Sequence, residues 1–225
     1  MTSGEIIGRI VAVIIGYCFG MILMGYLIGK SKNIDLTKVG SGNVGSTNTM
    51  RNLGVPAGLI TLLWDCTKCI VAVVFVWLTF HRFFEDTNIY MVYAGLGTVL
   101  GHDFPCYMHF KGGKGVASTL GFIIALFPIG VPIPAVIFIG IVAITRYVSL
   151  GSIIGVLSFA AEMIVFALCD VKSVTDRFQG RELTEVLVIC CFVSALSIAL
   201  HHANIKRLLS GNENKFSFHP ETRGI

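Results

Sequence analysis

Charge is what this chain of 225 residues has least of: 13% of it is Asp, Glu, Lys or Arg, where soluble domains carry about 25%. That excludes an ordinary soluble domain. With 54% hydrophobic residues, the chain is predicted to be an integral membrane protein. Acids are the scarcer sign, 13 against 17 bases. No cluster of carboxylates or histidines demands a metal, so neither metal nor cofactor is expected. No Ser-His-Asp set is evident, and no nucleic-acid partner is expected. A cleavable signal peptide is not expected either. The first apolar run, residues 6–28, is too long for an h-region, and Lys30 and Lys32 follow it. Cys66 and Cys69 have C-x-x-C spacing, but they fall on a spanning run and no second pair supports zinc. Packing is the expected role of the 7 cysteines.

What is present is a series of apolar runs. They predict seven helices, at about 6–29, 55–80, 89–101, 115–128, 131–145, 149–169 and 183–203. The expected fold is all-α, polytopic and a single domain over 1–225. The third to fifth runs are short, and Pro128, Pro132 and Pro134 interrupt the centre. Short or broken spans occur where backbone is buried in protein or lines a wet cavity, so a polar cavity is expected there. Basic residues orient the chain. Lys30, Lys32, Lys38, Arg51, Lys111, Lys114, Arg146, Lys206, Arg207, Lys215 and Arg223 fall on one side of the seven runs. The positive-inside rule makes that side cytoplasmic. The N-terminus is then outside, the C-terminus inside, and the cavity faces the cytoplasm.

Four polar segments lie on that side. The first, "KVGSGNVGSTNTMRNLG" at 38–54, packs 4 glycines, 4 Ser or Thr, 3 Asn and 2 cations. Gly40, Gly42 and Gly45 spell G-x-G-x-x-G, but no strand precedes them, so a dinucleotide fold is not indicated. Glycines still let backbone N–H groups close on an anion. Ser41, Asn43, Ser46, Thr47 and Asn48 add donors, and Arg51 adds a planar fork suited to phosphate. The second, "GHDFPCYMHFKGGKGVAST", sets Lys111 and Lys114 around Gly112 and Gly113. Gly115 follows Lys114 where a Walker loop would hold magnesium with Ser or Thr, so this is a phosphate cradle of another kind. The third, "RYVSLGSI", carries Ser149 and Ser152. The fourth, "HHANIKRLLSGNENKF", places His201 and Asn204 one helical turn apart and ends in Glu213 and Lys215. Asp65 and Lys68 form an intramembrane pair, either functional or a structural ion pair. Glu162 is a lone acid in a later span. His81 and Asp86 have H-x-x-x-x-D spacing but lie on the opposite side, and no catalytic role is expected of them.

Together these segments resemble the bacterial acyl-phosphate glycerol-3-phosphate acyltransferases, the PlsY family. The matching pieces are "GSGNVGSTNTMRNLG", "GHDFPCYMHFKGGKGVAST", "RYVSLGSI", "HANIKRLLSGNENK" and the "DCTK" at 65–68. Val44, Ser46 and Cys69 depart from residues common there, without loss of a polar group. The resemblance implies a seven-helix enzyme of the bacterial plasma membrane. It would move an acyl group from a long-chain acyl phosphate, made by a separate phosphate acyltransferase, to the 1-hydroxyl of glycerol 3-phosphate. Ser41, Arg51, Lys111, Lys114, His201 and Asn204 would engage glycerol 3-phosphate and its reacting hydroxyl. Gly112, Gly113 and Ser149 or Ser152 would hold the acyl-phosphate head. Gly42, Asn43, Gly45, Thr47, Asn48, His102, Gly115, Glu213 and Lys215 would complete the substrate-binding set, with Asn43, Thr47 and Asn48 bracing the first loop and Glu213 and Lys215 folding the tail over the site. His201 and a substrate phosphate oxygen are both open as proton acceptor. Two other readings use the same features: a transporter for a phosphorylated solute, and a subunit that binds anionic lipid head groups. Placement of all the chemistry on one face, and the lack of an internal repeat, disfavour transport.

Overall fold

A computed structural model describes residues 1–216, so Arg223 lies outside the described residues. Eleven α-helices follow in order: α1 (Ser3–Gly20), α2 (Met24–Ser31), α3 (Ser46–Leu53), α4 (Val55–Phe80), α5 (Asn88–Asp103), α6 (Val116–Leu126), α7 (Pro132–Thr145), α8 (Val148–Leu168), α9 (Lys172–Thr175), α10 (Gly180–Leu200) and α11 (His202–Leu209). There is no strand among the described residues. Five stretches are long and apolar enough to cross a membrane: Ser3–Ser31, Val55–Phe80, Pro128–Thr145, Val148–Leu168 and Gly180–Leu200. The other two expected runs are helices too, but α5 has 16 residues and α6 only 11.

Two expectations need correcting. The first run is two helices, because the chain breaks at residues 21–23. A break exposes carbonyls that lipid cannot satisfy. Here three side chains take them. Lys68 Nζ donates to Gly20 O at 2.8 Å, Tyr107 Oη to Met21 O at 2.6 Å and Trp64 Nε1 to Ile22 O at 3.0 Å. The second correction concerns the first polar segment. Its second half is not loop but α3, capped by Gly45 and stopped by Gly54. The central prolines act as expected: Pro128 opens a 3-10 turn, and Pro132 opens α7, where a missing N–H costs nothing.

Backbone meets backbone between α1 and α5. A Cβ at Gly16 would lie 1.9 Å from Ala94 O, one at Gly97 2.2 Å from Val13 O, and one at Gly101 2.2 Å from Tyr17 O. Small residues at four-residue spacing allow this approach, as in other membrane helix pairs. Below it, Phe122, Phe127, Phe159 and Phe178 fill the core with ring centroids 5.8 to 6.4 Å apart. Outward-facing Ile14, Leu63, Val136 and Ile144 are exposed, as a lipid-facing surface requires. At the far end Arg9 Nε meets Glu185 Oε2 at 2.9 Å, and Tyr93 Oη donates to the same oxygen at 3.1 Å. This ties α1 to α10.

Gly97→Ala is expected to cost about 1–3 kcal/mol, because two backbones must part. Gly140→Ala, in α7 with open space around it, is expected to be neutral or stabilising. Thermal unfolding of both variants in detergent compares them.

Candidate active site

One amide organises the first loop. Asn48 sits in α3 and turns its side chain back. Its Nδ2 donates to the carbonyls of Asn43, Val39 and Leu36 at 2.8, 3.1 and 3.2 Å. Its Oδ1 accepts from Ser41 N–H at 2.8 Å and from Asn52 Nδ2 at 3.1 Å. Gly40 makes room for this. Its φ is +59°, and a Cβ there would lie 2.2 Å from Asn48 Oδ1. Gly42 turns the loop, its N–H on Val39 O. Asn43 Oδ1 accepts from Gly45 N–H, and Asn43 Nδ2 reaches Gly112 O of the second loop at 3.4 Å. Thr47 takes no part in this bracing, contrary to expectation. Its side chain has no hydrogen bond among the described residues, and Thr49 and Asn52 do the work instead. No side chain caps α3, so its first amides stand open with Arg51 one turn on. Neither hydrogen bond nor ion pair holds the side chain of Arg51 or Lys111 among the described residues.

The second loop hangs on the end of α5. Gly112 N–H donates to Asp103 O and Gly113 N–H to His102 O, both at 2.9 Å. These amides are therefore committed to the protein, and the free amide cradle expected of the two glycines is not the arrangement seen. Their smallness has another use. A Cβ at Gly113 would lie 1.9 Å from His102 Nε2, and one at Gly112 2.1 Å from His102 O. Gly115, at φ +72°, starts α6 and closes over Asp103, whose carboxylate oxygens have no partner among the described residues.

Lys114 points the other way, to the α10–α11 junction, where Nζ donates to Asn204 Oδ1. Asn204 Nδ2 in turn donates to Glu213 Oε1 at 2.8 Å. Ser149 Oγ donates to the same oxygen at 3.0 Å, and Arg207 Nε to Glu213 Oε2 at 2.7 Å. So Asn204 is a bridge with both ends of its amide occupied. Glu213 ties the tail to α8 and α11. Lys215 continues the strap, its Nζ 5.8 Å from the Tyr147 ring centre; Phe216 N–H donates to Arg146 O at 2.7 Å, and the Arg146 guanidinium donates back to Phe216 O. Ser152 donates only to Val148 O on its own helix. His201 Nδ1 lies 2.7 Å from Ser197 O. A carbonyl only accepts, so Nδ1 carries the proton and Nε2 keeps its lone pair. Burial, with the charge of Lys114 second, brings the His201 pKa down to about 4. The ring is neutral at physiological pH.

A hydrogen-bonded chain thus joins four segments distant in sequence: Asn43 to Gly112 across the first and second loops, and Lys114 to Asn204, Glu213 and Ser149 beyond. Arg207, Ser197 and Asn52 belong to it and were not singled out as site residues from the sequence. Only Arg207 left a signal there, three residues after Asn204 and so on its helix face. His81 and Asp86 do not pair. His81 Nδ1 lies against Trp77 O, and Asp86 caps the start of α5 through Asn88 N–H.

Burial, then the charge of Arg207, lowers Lys114 to about 8, while Glu213 opposes them. Lys114 is therefore cationic below pH 8 and neutral above. Apparent affinity for a phosphate dianion is expected to fall above pH 8, by up to about tenfold per unit. Lys114→Arg should remove that limb. Glycerol 3-phosphate titrations at several pH values check both.

Residues 10–211 match the glycerol-3-phosphate acyltransferase family. The chain is 37% identical to the glycerol-3-phosphate acyltransferase of Halalkalibacterium halodurans, covering 93% of this chain and 96% of that one. It is 41% identical to glycerol-3-phosphate acyltransferase 2 of Thermotoga maritima, covering 90% and 93%. Its fold is similar to the crystal structure of PlsY (YgiH), an integral membrane glycerol 3-phosphate acyltransferase, in its glycerol 3-phosphate form. There the TM-score is 0.77 and the identity 34%, with 93% of this chain and 96% of that one covered. The lysophosphatidic acid form of PlsY gives 0.75 and 33%. With its four polar segments drawn together at helix ends, this chain belongs to the PlsY family of integral membrane glycerol-3-phosphate acyltransferases.

Proposed function

We propose that the protein transfers a fatty acyl group from acyl phosphate to the 1-hydroxyl of glycerol 3-phosphate, giving lysophosphatidic acid and inorganic phosphate. This is the first acylation of phospholipid synthesis, and a separate phosphate acyltransferase supplies the donor. The chain crosses the bacterial plasma membrane seven times, α5 and α6 being short spans. Its N-terminus is outside, and its site opens as a polar cavity on the cytoplasmic side. The observation that carries the reading is the pairing of two kinds of cation at one set of helix ends. Lys114 is held by Asn204 and Glu213, while the side chains of Arg51 and Lys111 have no protein partner among the described residues. A phosphorylated acceptor and a phosphorylated donor need such charge, and the apolar helices around it suit a long acyl chain.

Acyl phosphate is a mixed anhydride with a good leaving group, so positioning and charge stabilisation supply most of the catalysis. The acceptor oxygen attacks the acyl carbon, the carbon–oxygen bond to phosphate breaks, and no acyl-enzyme forms. Arg51 grips the phosphate of glycerol 3-phosphate with Ser41, while Lys114 and Lys111 neutralise charge on the phosphates. His201 Nε2, a fixed lone pair, accepts a hydrogen bond from the attacking hydroxyl and aims it. With its pKa held near 4 it is a weak proton acceptor. A phosphate oxygen, whose second pKa is about 6, takes the proton instead. Asn43, Asn48 and the glycines between them keep the first loop in shape, and Glu213 and Lys215 close the tail over Ser149 and Ser152.

Purified protein in lipid, given palmitoyl phosphate, is expected to release phosphate only when glycerol 3-phosphate is added, and not to use palmitoyl-CoA. No acceptor-dependent release from folded protein would refute the assignment. Arg51→Lys is expected to lose at least about tenfold in kcat/KM, since an ammonium cannot make a two-pronged contact.

A further inference from the structure

Lys68 is a cation buried to under 2% exposure, and no part of the proposed reaction uses it. Four acceptors surround its ammonium: Gly20 O at 2.8 Å, Asp65 Oδ1 at 2.9 Å, His102 Nδ1 at 2.9 Å and Ile22 O at 3.2 Å. An ammonium has three hydrogens. Ile22 O already accepts from Trp64 Nε1, so the three belong to Gly20, Asp65 and His102. Lys68 has nothing to accept with, so His102 Nδ1 must be the acceptor. The competing arrangement, Nδ1–H on Asp65 Oδ1, is disfavoured by geometry, because that separation is 3.5 Å. His102 is then neutral, with its proton on Nε2. Nε2 has no hydrogen-bond partner among the described residues, and it lies against Gly113, where no side chain fits. Gly113 itself lies between Lys111 and Lys114 in the sequence.

We infer that Lys68 is a positioning residue: by filling His102 Nδ1 it fixes the ring as an Nε2–H donor, which His102 presents beside Gly113 to a phosphate oxygen of the substrate. The chemistry requires that polarity, since an anion is held by N–H and repelled by a lone pair. The two site histidines are thereby set oppositely. His201 shows a lone pair for a hydroxyl, and His102 shows a hydrogen for a phosphate. The same ammonium closes the break between α1 and α2, so the break and the donor depend on one group. Asp65 balances its charge in the membrane, which makes the pair functional rather than only structural. This inference takes its phosphate-bearing substrate from the function proposed above.

Imidazole nitrogen NMR on histidine-labelled protein in nanodiscs tests it, the His102 signal being assigned by its loss in His102→Gln. The expected result is an Nε2–H tautomer whose Nε2 shift moves on adding glycerol 3-phosphate or inorganic phosphate. In Lys68→Met the proton is expected to transfer to Nδ1, facing Asp65. A wild-type Nδ1–H tautomer, or an imidazolium, overturns the inference, as does an unchanged tautomer in Lys68→Met. If Lys68→Met does not fold, substitutions at His102 decide. Asn reproduces the Nδ1 position and Gln the Nε2–H. Asn is expected to weaken glycerol 3-phosphate binding by about 10- to 100-fold, the worth of a hydrogen bond to a charged group, and Gln to recover most of that loss. Equal losses overturn it. The tautomer is read without substrate, so failure here is separable from failure of the acyltransferase assay.

Discussion

The arrangement rests on satisfying backbone carbonyls where water cannot. A helix broken inside a membrane exposes groups that each cost several kcal/mol if left unpaired. The break between α1 and α2 survives because Lys68, Trp64 and Tyr107 bring donors from two other segments. What the break provides is direction. α2 leads away from α1 toward the first loop, where Val44 and Leu36 pack on Leu23. The same ammonium touches the end of α5, from which the second loop hangs. Two glycine-rich polar loops are therefore placed by one buried cation and its counter-ion.

The rest of the site is built by bridging amides rather than by charges in contact. Asn48 holds the first loop, Asn43 joins it to the second, and Asn204 joins the second to the tail. An amide can donate and accept at once, so it fixes position without neutralising a cation. That leaves the side chains of Arg51 and Lys111 without a protein partner among the described residues. Glu213 is the exception, a carboxylate shared by three donors, and it sits on the tail, where neutralising Arg207 closes the strap.

Much of this was legible in the sequence. Apolar runs located every long helix, and glycine with Ser, Asn and Lys at their ends marked the loops that carry the chemistry. Asp65 and Lys68 stood out because charge is costly in a span. The break after Gly20 was not legible. Its local residues are all apolar, and its cause lies in Lys68, more than 40 positions away. The fate of the Gly112 and Gly113 amides was hidden for the same reason. Glycine announces a close approach but not to what, and here the neighbour is the end of α5. Thr47 and Asn52 have similar side-chain chemistry and lie five residues apart, so composition could not tell which one braces the loop. Only the direction in which α3 turns them decides.

The glycine contact between α1 and α5 also bears on how the protein meets bilayers of different thickness. Two backbones touching without intervening side chains cannot slide or re-tilt in small steps, so this pair keeps its length along the membrane normal. α7 is built differently: Pro134 is its only fully buried residue, Ile133, Val136, Ile139 and Ile144 are exposed, and Phe138 and Val142 pack against Gly151 of α8. Hydrophobic mismatch is relieved by tilting, and α7 can tilt only together with α8, on which it packs. It ends at Arg146, which grips the carbonyl of Phe216 in the tail. A tilt of the α7–α8 pair would therefore pull on Phe216 through Arg146, while the α1–α5 pair stays fixed.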